Sequence, residues 1–549
     1  MRGNRFRVND SAHGGGLPAG TVARACWRLL PGALPATLSP MKNWISSSVI
    51  YQINLRSLAH REPRNAFEAA RELPVTESPL AYVMRNLPVI RKLGANVLYF
   101  MPPFPIGHAF RKGIGSPYSI RNFKAIEPEY GTLDDMAALV RRAHKLGFKV
   151  IFDITPNHTS RDHVWITEHP DYYVKRDNGE IFYDCDWSDT AKLDYTKPGL
   201  RQAMLDIYDY WLGFLGPDEK GNPDGIDGFR LDMAHFINDK SFWNDAMPAL
   251  KQKHAARPLL FLAECYGLHN NLDLFDRGIN AAYDDDFYKN CLYLYGVTED
   301  VYATRIIPET GLENNQDYRD RYQAFLTDGI AGAFETAIMN YESRFKAGED
   351  APHVARYTDN HDEGRGMYLY GEGAVRAVNS LIFLAPHTMP FLLTGEEFGA
   401  LNRPPIHDRM NPIGKRRRIL NETTGQVRTQ ESVEFEGNSW LRDIEDRKKL
   451  YAFFQGLIKL RLQHSALTKG SFTLWDAGEQ APRPQRSVIA FVRSHRQHHL
   501  LCAVNLGPND RTLANADTFR GGQLEYGGLR GDILPAFSAI VVSLKQKPE

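Results

Sequence analysis

Four fragments of this chain set carboxylates beside the groups that could tune them: Asp153-Ile-Thr-Pro-Asn157-His158, Gly228-Phe-Arg230-Leu-Asp232, Phe261-Leu-Ala-Glu264 and Asn360-His361-Asp362. Residues two apart on a strand point the same way, so Arg230 and Asp232 are expected side by side in one cavity. A cation within a few ångströms lowers a carboxylate pKa by about 1–3 units, which suits a group that attacks as an anion. Glu264 follows three apolar residues, a setting that raises a carboxyl pKa and favours the protonated form. An ionised and a protonated carboxyl are the nucleophile and the acid of retaining glycoside hydrolysis. A third carboxylate, Asp362, would bind sugar hydroxyls and favour the oxocarbenium-like transition state. Each fragment alone is commonplace, since Arg-x-Asp is usually a structural pair and Asn-His-Asp usually a capped turn. The information lies in their conjunction and order.

Each fragment also closes a short apolar run, and barrel active sites are built at the C-terminal ends of strands. Strands are predicted at Ser48–Asn54, Asn96–Met101, Lys149–Thr155, Gly225–Met233, Leu259–Cys265, Ala281–Asp285, Val354–Thr358 and Met389–Thr394, with amphipathic stretches between them. Eight alternations point to a closed (β/α)8 TIM barrel over residues 41–465. Residues 159–195, rich in Asp, Tyr, Trp and His and without helical period, read as a small inserted loop domain after the third strand. A helix over Asp446–Gln463 would close the barrel. Period-two alternation at Ser487–Arg493, Leu500–Asn505 and Ser538–Ser543 then assigns a C-terminal antiparallel β-sandwich to residues 468–549. The charged stretch Leu401–Arg442, with Lys415-Arg416-Arg417-Arg418, reads as a solvated loop. Phosphate-loop, nucleophile-elbow, zincin and dinucleotide-binding motifs are absent.

With those four motifs in that order, the chain from about Val49 onward resembles the α-amylase family of retaining glycosidases, glycoside hydrolase family 13. The resemblance implies a nucleophile at Asp232, an acid/base at Glu264 and a transition-state-stabilising Asp362. It further implies that Arg230, His158 and His361 contact the reacting glucose. Tyr118, twelve residues before Tyr130-Gly131-Thr132, stands where the family places an aromatic beneath that sugar. Arg365 resembles a further sugar-site arginine, and His235 either contacts the second sugar or packs against the next helix. Asp153 and Asn157 take structural or possible metal-binding positions. In Thr190-Ala-Lys192-Leu-Asp194 a lysine replaces the acid of calcium-dependent members, and an ammonium cannot ligate a cation that needs oxygen donors. No cofactor is required for the chemistry; calcium stays possible through the retained Asn157, although Lys192 weakens the familiar site.

The implied activity is hydrolysis of α-1,4-glucosidic bonds in malto-oligosaccharides or starch-like α-glucans. Transglycosylation by the same carboxylates, as in a 4-α-glucanotransferase or a trehalose-forming maltose isomerase, is the alternative. A non-catalytic carbohydrate-binding or scaffold barrel is the rival from another class. The composition agrees with an uncharged partner. Among 549 residues, 66 basic groups balance 66 acidic ones, so no global field favours nucleic acid or anionic lipid. Five of those basic residues (Arg2, Arg5, Arg7, Arg24, Arg28) and one acid, Asp10, fall in residues 1–40, leaving 61 against 65. That segment, Gly- and Pro-rich and without a signal-like apolar run, is expected to be a disordered basic extension preceding a start at Met41. Five scattered cysteines without a Cys-x-x-Cys pair fit a reducing cytoplasm, and no apolar run reaches the roughly 18 residues of a membrane span.

Overall fold

The computed structural model describes residues 43–58, 77–294, 316–348, 351–400, 403–404, 406, 416–421, 426–431 and 448–548. The basic segment 1–40, Met41 and most of Leu401–Arg442 lie outside the described residues, as do the side chains of the run Lys415–Arg418.

Eight parallel strands close on themselves: β1 (Ile50–Ile53), β2 (Val97–Phe100), β3 (Lys149–Ile154), β4 (Gly228–Leu231), β5 (Leu260–Ala263), β6 (Ala281–Tyr283), β7 (His353–Arg356) and β8 (Thr388–Leu393). They follow one another in sequence order around the ring, with β8 returning to β1. Every strand predicted from the alternation is present; β1–β6 lie within the predicted bounds, and β7 and β8 each begin one residue earlier than predicted. Helices between the strands cover the outside, among them Pro79–Leu93, Leu133–Lys145, Pro198–Gly213, Ser241–Lys253 and Glu372–Leu384. Their starts are chemically specified. Ser78 accepts from the Ala81 amide at 3.2 Å, and Thr132 with Asp135 forms a reciprocal capping box.

The barrel is filled rather than hollow. Tyr99 and Tyr283 each pack edge-on to Phe391, with centroids 5.7 and 5.8 Å away, and form an aromatic floor beneath the polar strand ends. Gly228 opens β4 with φ +154°, and a Cβ there would stand 1.9 Å from the Leu260 carbonyl. Only glycine lets β4 lie against β5 at this point.

In the stretch after β3, His158–Ser160 pairs antiparallel with Thr190–Lys192, and between them lie a short helix, Trp165–Glu168, and one 3₁₀ turn, Pro170–Tyr172. Helix Lys448–Gln463 then leads to a five-stranded antiparallel sheet ordered Ser471–Leu474, Val488–His495, His498–Asn505, Ala539–Leu544, Gln523–Gly527. One face, with Ile489, Phe491, Cys502 and Val541, joins the barrel's apolar core; the other packs on Leu513, Phe519 and Leu534. The sheet is thus the middle layer of a β-sandwich-like domain. Arg493, buried in the sheet, ties it to the barrel by donating to the Leu384 carbonyl at 2.7 Å, and Arg461 of helix Lys448–Gln463 donates to the neighbouring Phe383 carbonyl at 2.8 Å.

Candidate active site

Register brings the four fragments together. Asp153 of β3 pairs with Arg230 of β4, and Arg230 with Leu262 of β5, so Asp232 and Glu264, each two residues further along, emerge at one level. Arg230 is fully buried and meets three carboxylates. Its Nη1 lies 2.8 Å from both Asp153 Oδ1 and Asp232 Oδ1, and its Nη2 lies 2.8 Å from Glu264 Oε2. Its guanidinium also sits 5.3 and 5.7 Å from the ring centroids of Tyr283 and Tyr118.

Glu264 is held from several sides. Met233, directly after Asp232, has φ +46°, a left-handed conformation costly for a side-chain-bearing residue. That turn aims the Met233 amide at Glu264 Oε2, 3.0 Å away. The Tyr266 hydroxyl donates to the other oxygen, Oε1, at 2.9 Å. His235 packs edge-on to Tyr266 and against Phe236, on the Glu264 side of the site.

A second chain of contacts fixes the opposite wall. The Gln52 amide donates to His361 Nδ1 at 2.8 Å, which leaves the ring proton on Nε2. That nitrogen faces Asp362 Oδ2 at 3.1 Å and the Tyr118 hydroxyl, which itself donates to Asp153 Oδ2 at 2.9 Å. Tyr118 stacks on His361 with centroids 5.6 Å apart. Burial keeps both histidines neutral, pulling His158 down to about 4 and His361 well below its ordinary range with help from Arg230. Asp362 is presented by a turn in which Asn360 Oδ1 accepts from the amides of Asp362 and Glu363 at 2.8 Å each. Its side chain is 41% exposed, the most open of the three carboxylates.

Residues 78–470 match the family model described as alpha amylase, catalytic domain. The chain belongs to the alpha-amylase family. It is 23% identical over 548 residues to probable oligo-1,6-glucosidase 3 of Bacillus subtilis, covering 85% of this chain and 91% of that one. It is 29% identical over 245 residues to a trehalose synthase/amylase of Mycobacterium tuberculosis, covering 39% of this chain and 36% of the relative. Among solved structures, an alpha-amylase from Lactobacillus plantarum superposes with TM-score 0.62 at 22% identity, over 91% of this chain and 99% of that one. This alpha-amylase family member is therefore a glycoside hydrolase, built on the family's barrel.

Two expectations change. Arg230 is not a private partner of Asp232, because its second terminal nitrogen serves Glu264. Burial, and then the neighbouring Glu264 charge, raise the Asp232 carboxyl well above its usual range. Burial pushes Glu264 the same way, but Arg230, the Met233 amide and the Tyr266 hydroxyl outweigh it and hold that carboxyl low. The two shifts run opposite to those expected from the sequence, with Asp232 raised and Glu264 lowered. Asp153, lifted by burial to about 6, is the third member of this crowded set. Arg365, expected at the sugar, is buried and donates to Asp359 Oδ2 at 3.2 Å and to the Thr394 carbonyl at 2.6 Å. It braces the loop that carries Asp362 against the end of β8.

The family's calcium does not fit these residues. Lys192 Nζ lies 2.8 Å from Asp184 Oδ1 and 3.1 Å from the Phe236 carbonyl, and Asn157 Nδ2 donates to Asp184 Oδ2 at 2.8 Å. The oxygen donors converge on an ammonium that already supplies positive charge. Gln52, Tyr99, Tyr266 and Tyr283 went unnoticed in the sequence; polar residues inside otherwise apolar strands would have flagged Gln52 and the two barrel tyrosines.

Proposed function

We propose that this enzyme hydrolyses α-1,4-glucosidic bonds in malto-oligosaccharides with retention, Asp232 forming a covalent glycosyl-enzyme and Glu264 acting as acid and then base. The observation that carries the reading is the bridge made by Arg230. Adjacent nitrogens of one guanidinium, each 2.8 Å from a carboxylate oxygen, hold Asp232 and Glu264 side by side. Inverting enzymes need carboxyls about 6.5–9.5 Å apart to seat a water between them, whereas retaining enzymes bring them closer. In the first step Asp232 attacks the anomeric carbon while Glu264 gives its proton to the departing glycosidic oxygen. In the second, Glu264 takes a proton from water as the ester is cleaved. Asp362 and the neutral imidazoles of His158 and His361 bind hydroxyls of the reacting sugar.

No calcium takes part in this reading. The four described cysteines outside the leader are free thiols, which supports a cytosolic setting. Among the described residues no helix is long and apolar enough to cross a membrane. The resemblance to a trehalose synthase/amylase favours transfer to a second sugar as the alternative outcome of the same glycosyl-enzyme.

The test incubates the enzyme with maltose, isomaltose, maltoheptaose and soluble starch, resolves products by length and follows the first-formed anomer by proton NMR. Shorter products appearing as the α-anomer are expected, with Asp232→Asn abolishing turnover. Longer products or trehalose would establish transfer. First appearance of the β-anomer, or near-normal turnover by Asp232→Asn, would overturn the mechanism.

A further inference from the structure

The acid/base carboxyl can deliver a proton from only one of its oxygens. Glu264 Oε2 accepts from the Met233 amide at 3.0 Å and faces Arg230 Nη2 at 2.8 Å, both on the barrel side. Oε1 remains, and the Tyr266 hydroxyl sits on it at 2.9 Å. Glu264 is buried, whereas Tyr266, two residues on and beyond the end of β5, is 40% exposed. Its ring meets His235 edge-on at 5.8 Å. The phenol therefore holds the one Glu264 oxygen left for a leaving group.

We propose that Tyr266 is the positioning residue of the acid/base, its hydroxyl occupying Glu264 Oε1 in the empty site and yielding that oxygen to the glycosidic oxygen of an arriving sugar. The inference rests on Glu264 being the acid. Within the proposal the raised carboxyl, Asp232, carries the pair's proton: losing the phenol's hydrogen bond weakens the hold on the Glu264 anion, and that proton passes to Glu264 Oε1. Asp232 is left as the anion that attacks. No further acid or base is needed. The groups facing the carboxyls and the phenol are Arg230 and Asp153 from the barrel floor, Tyr283 from β6, His235 beside Tyr266, and Asp362 and Asp285, whose charges reach Tyr266. The directions of the titration shifts agree, with Glu264 held low partly by Tyr266 and Asp232 raised.

The test compares the enzyme with Tyr266→Phe on maltose, whose leaving group needs a proton, and on α-glucosyl fluoride, whose leaving group does not. Removing a donor to the carboxylate raises the Glu264 pKa in the free enzyme. The alkaline limb of kcat/KM on maltose should move up by about one unit or less, the size of one hydrogen bond. The alkaline limb of kcat should stay in place, because the phenol has already left in the substrate complex. On the fluoride, kcat/KM reports glycosylation alone, a step that draws no proton from Glu264, and its alkaline limb should not move with the substitution. Site-specific 3-fluorotyrosine at position 266, a stronger donor in an otherwise native protein, should move the kcat/KM limb the other way, and it keeps the test decisive if Tyr266→Phe folds poorly. Equal losses on both substrates with unmoved limbs would make Tyr266 a merely structural residue and overturn the proposal. If the native enzyme turned over neither substrate, the glycosidase reading itself would fail, a result distinct from a silent Tyr266.

Discussion

Replacing Lys192 by methionine tests whether an ammonium does the work of a metal ion in this fold. Lys192 and Asp184 expose only 12% and 15% of their side chains. Methionine keeps most of the stem's packing but strands the Asp184 carboxylate with the Asn157 amide as its remaining side-chain donor, 2.8 Å away. Breaking a buried pair by removing one partner costs about 3–5 kcal/mol. Spread over roughly 500 residues that each contribute about 2.1 cal/mol/K of unfolding entropy, this is about 3–5 °C in Tm. Scanning calorimetry at one fixed rate, with and without chelator, supplies the measurement. The native protein should melt at the same temperature in both, Lys192→Met several degrees lower, and Lys192→Met/Asp184→Leu between them because no lone charge is left. Lys192→Asp should instead be raised by added calcium, since Asn157 Oδ1, buried and unpartnered, stands ready as a further oxygen donor. A native Tm that falls in chelator and recovers with calcium, or a Lys192→Met variant as stable as the native chain, would refute the reasoning.

Asp227, buried at the start of β4, accepts from His144 at 2.8 Å and Lys149 at 2.9 Å. Burial would raise its carboxyl, but His144, Lys149 and Arg257 more than reverse that and hold it well below the usual range. A depressed pKa contributes stability that is present above about pH 4 and lost as pH falls toward the folded value. Asp227→Asn should therefore cost about 3 kcal/mol at pH 7, with the gap to the native protein closing in melts taken below pH 4. Glu396 shows the opposite sign: burial and then the Asp359 charge raise it well above its usual range. A raised carboxyl loses stability as pH climbs, so Glu396→Gln should match or exceed the native Tm at pH 8, its amide replacing a protonated acid beside the Thr358 hydroxyl at 2.7 Å. A clear loss of Tm at pH 8 would show that the native group is ionised.

The barrel was legible because its signal is repeated eight times and each strand runs apolar on both faces. What escaped were the edges. Ser471–Leu474 and Gln523–Gly527, the outer strands of the C-terminal sheet, are mostly exposed, and the second carries a register shift between Leu524 and Tyr526. Neither buries enough to write a period into its residues. At the site, the carboxylates and Arg230 were readable because chemistry restricts their types and strand spacing restricts their direction. The protonation pattern was not, because it depends on which nitrogen of Arg230 meets which oxygen, and on a left-handed turn at Met233 that places one amide. Arg365 misled for the same reason: three residues after Asp362 in sequence, it turns inward to Asp359 and the β8 terminus.

The two arginines that finish helix Glu372–Leu384, one of them from the sheet, bear on how such enzymes can be recombined. The helix Glu372–Leu384 ends with carbonyls that no residue of its own satisfies, and Arg461 and Arg493 supply the missing donors from later in the chain. Burial brings those guanidinium groups down to about 9 and about 10, a cost accepted to finish an element laid down some eighty to a hundred residues earlier. The C-terminal domain is thus not an interchangeable part. A chimaera that exchanged it at the barrel boundary would inherit an unfinished helix beneath β8, the strand whose far end braces the loop bearing Asp362. Donor domains would need a basic residue at the place of Arg493 before any graft could hold the cleft in shape.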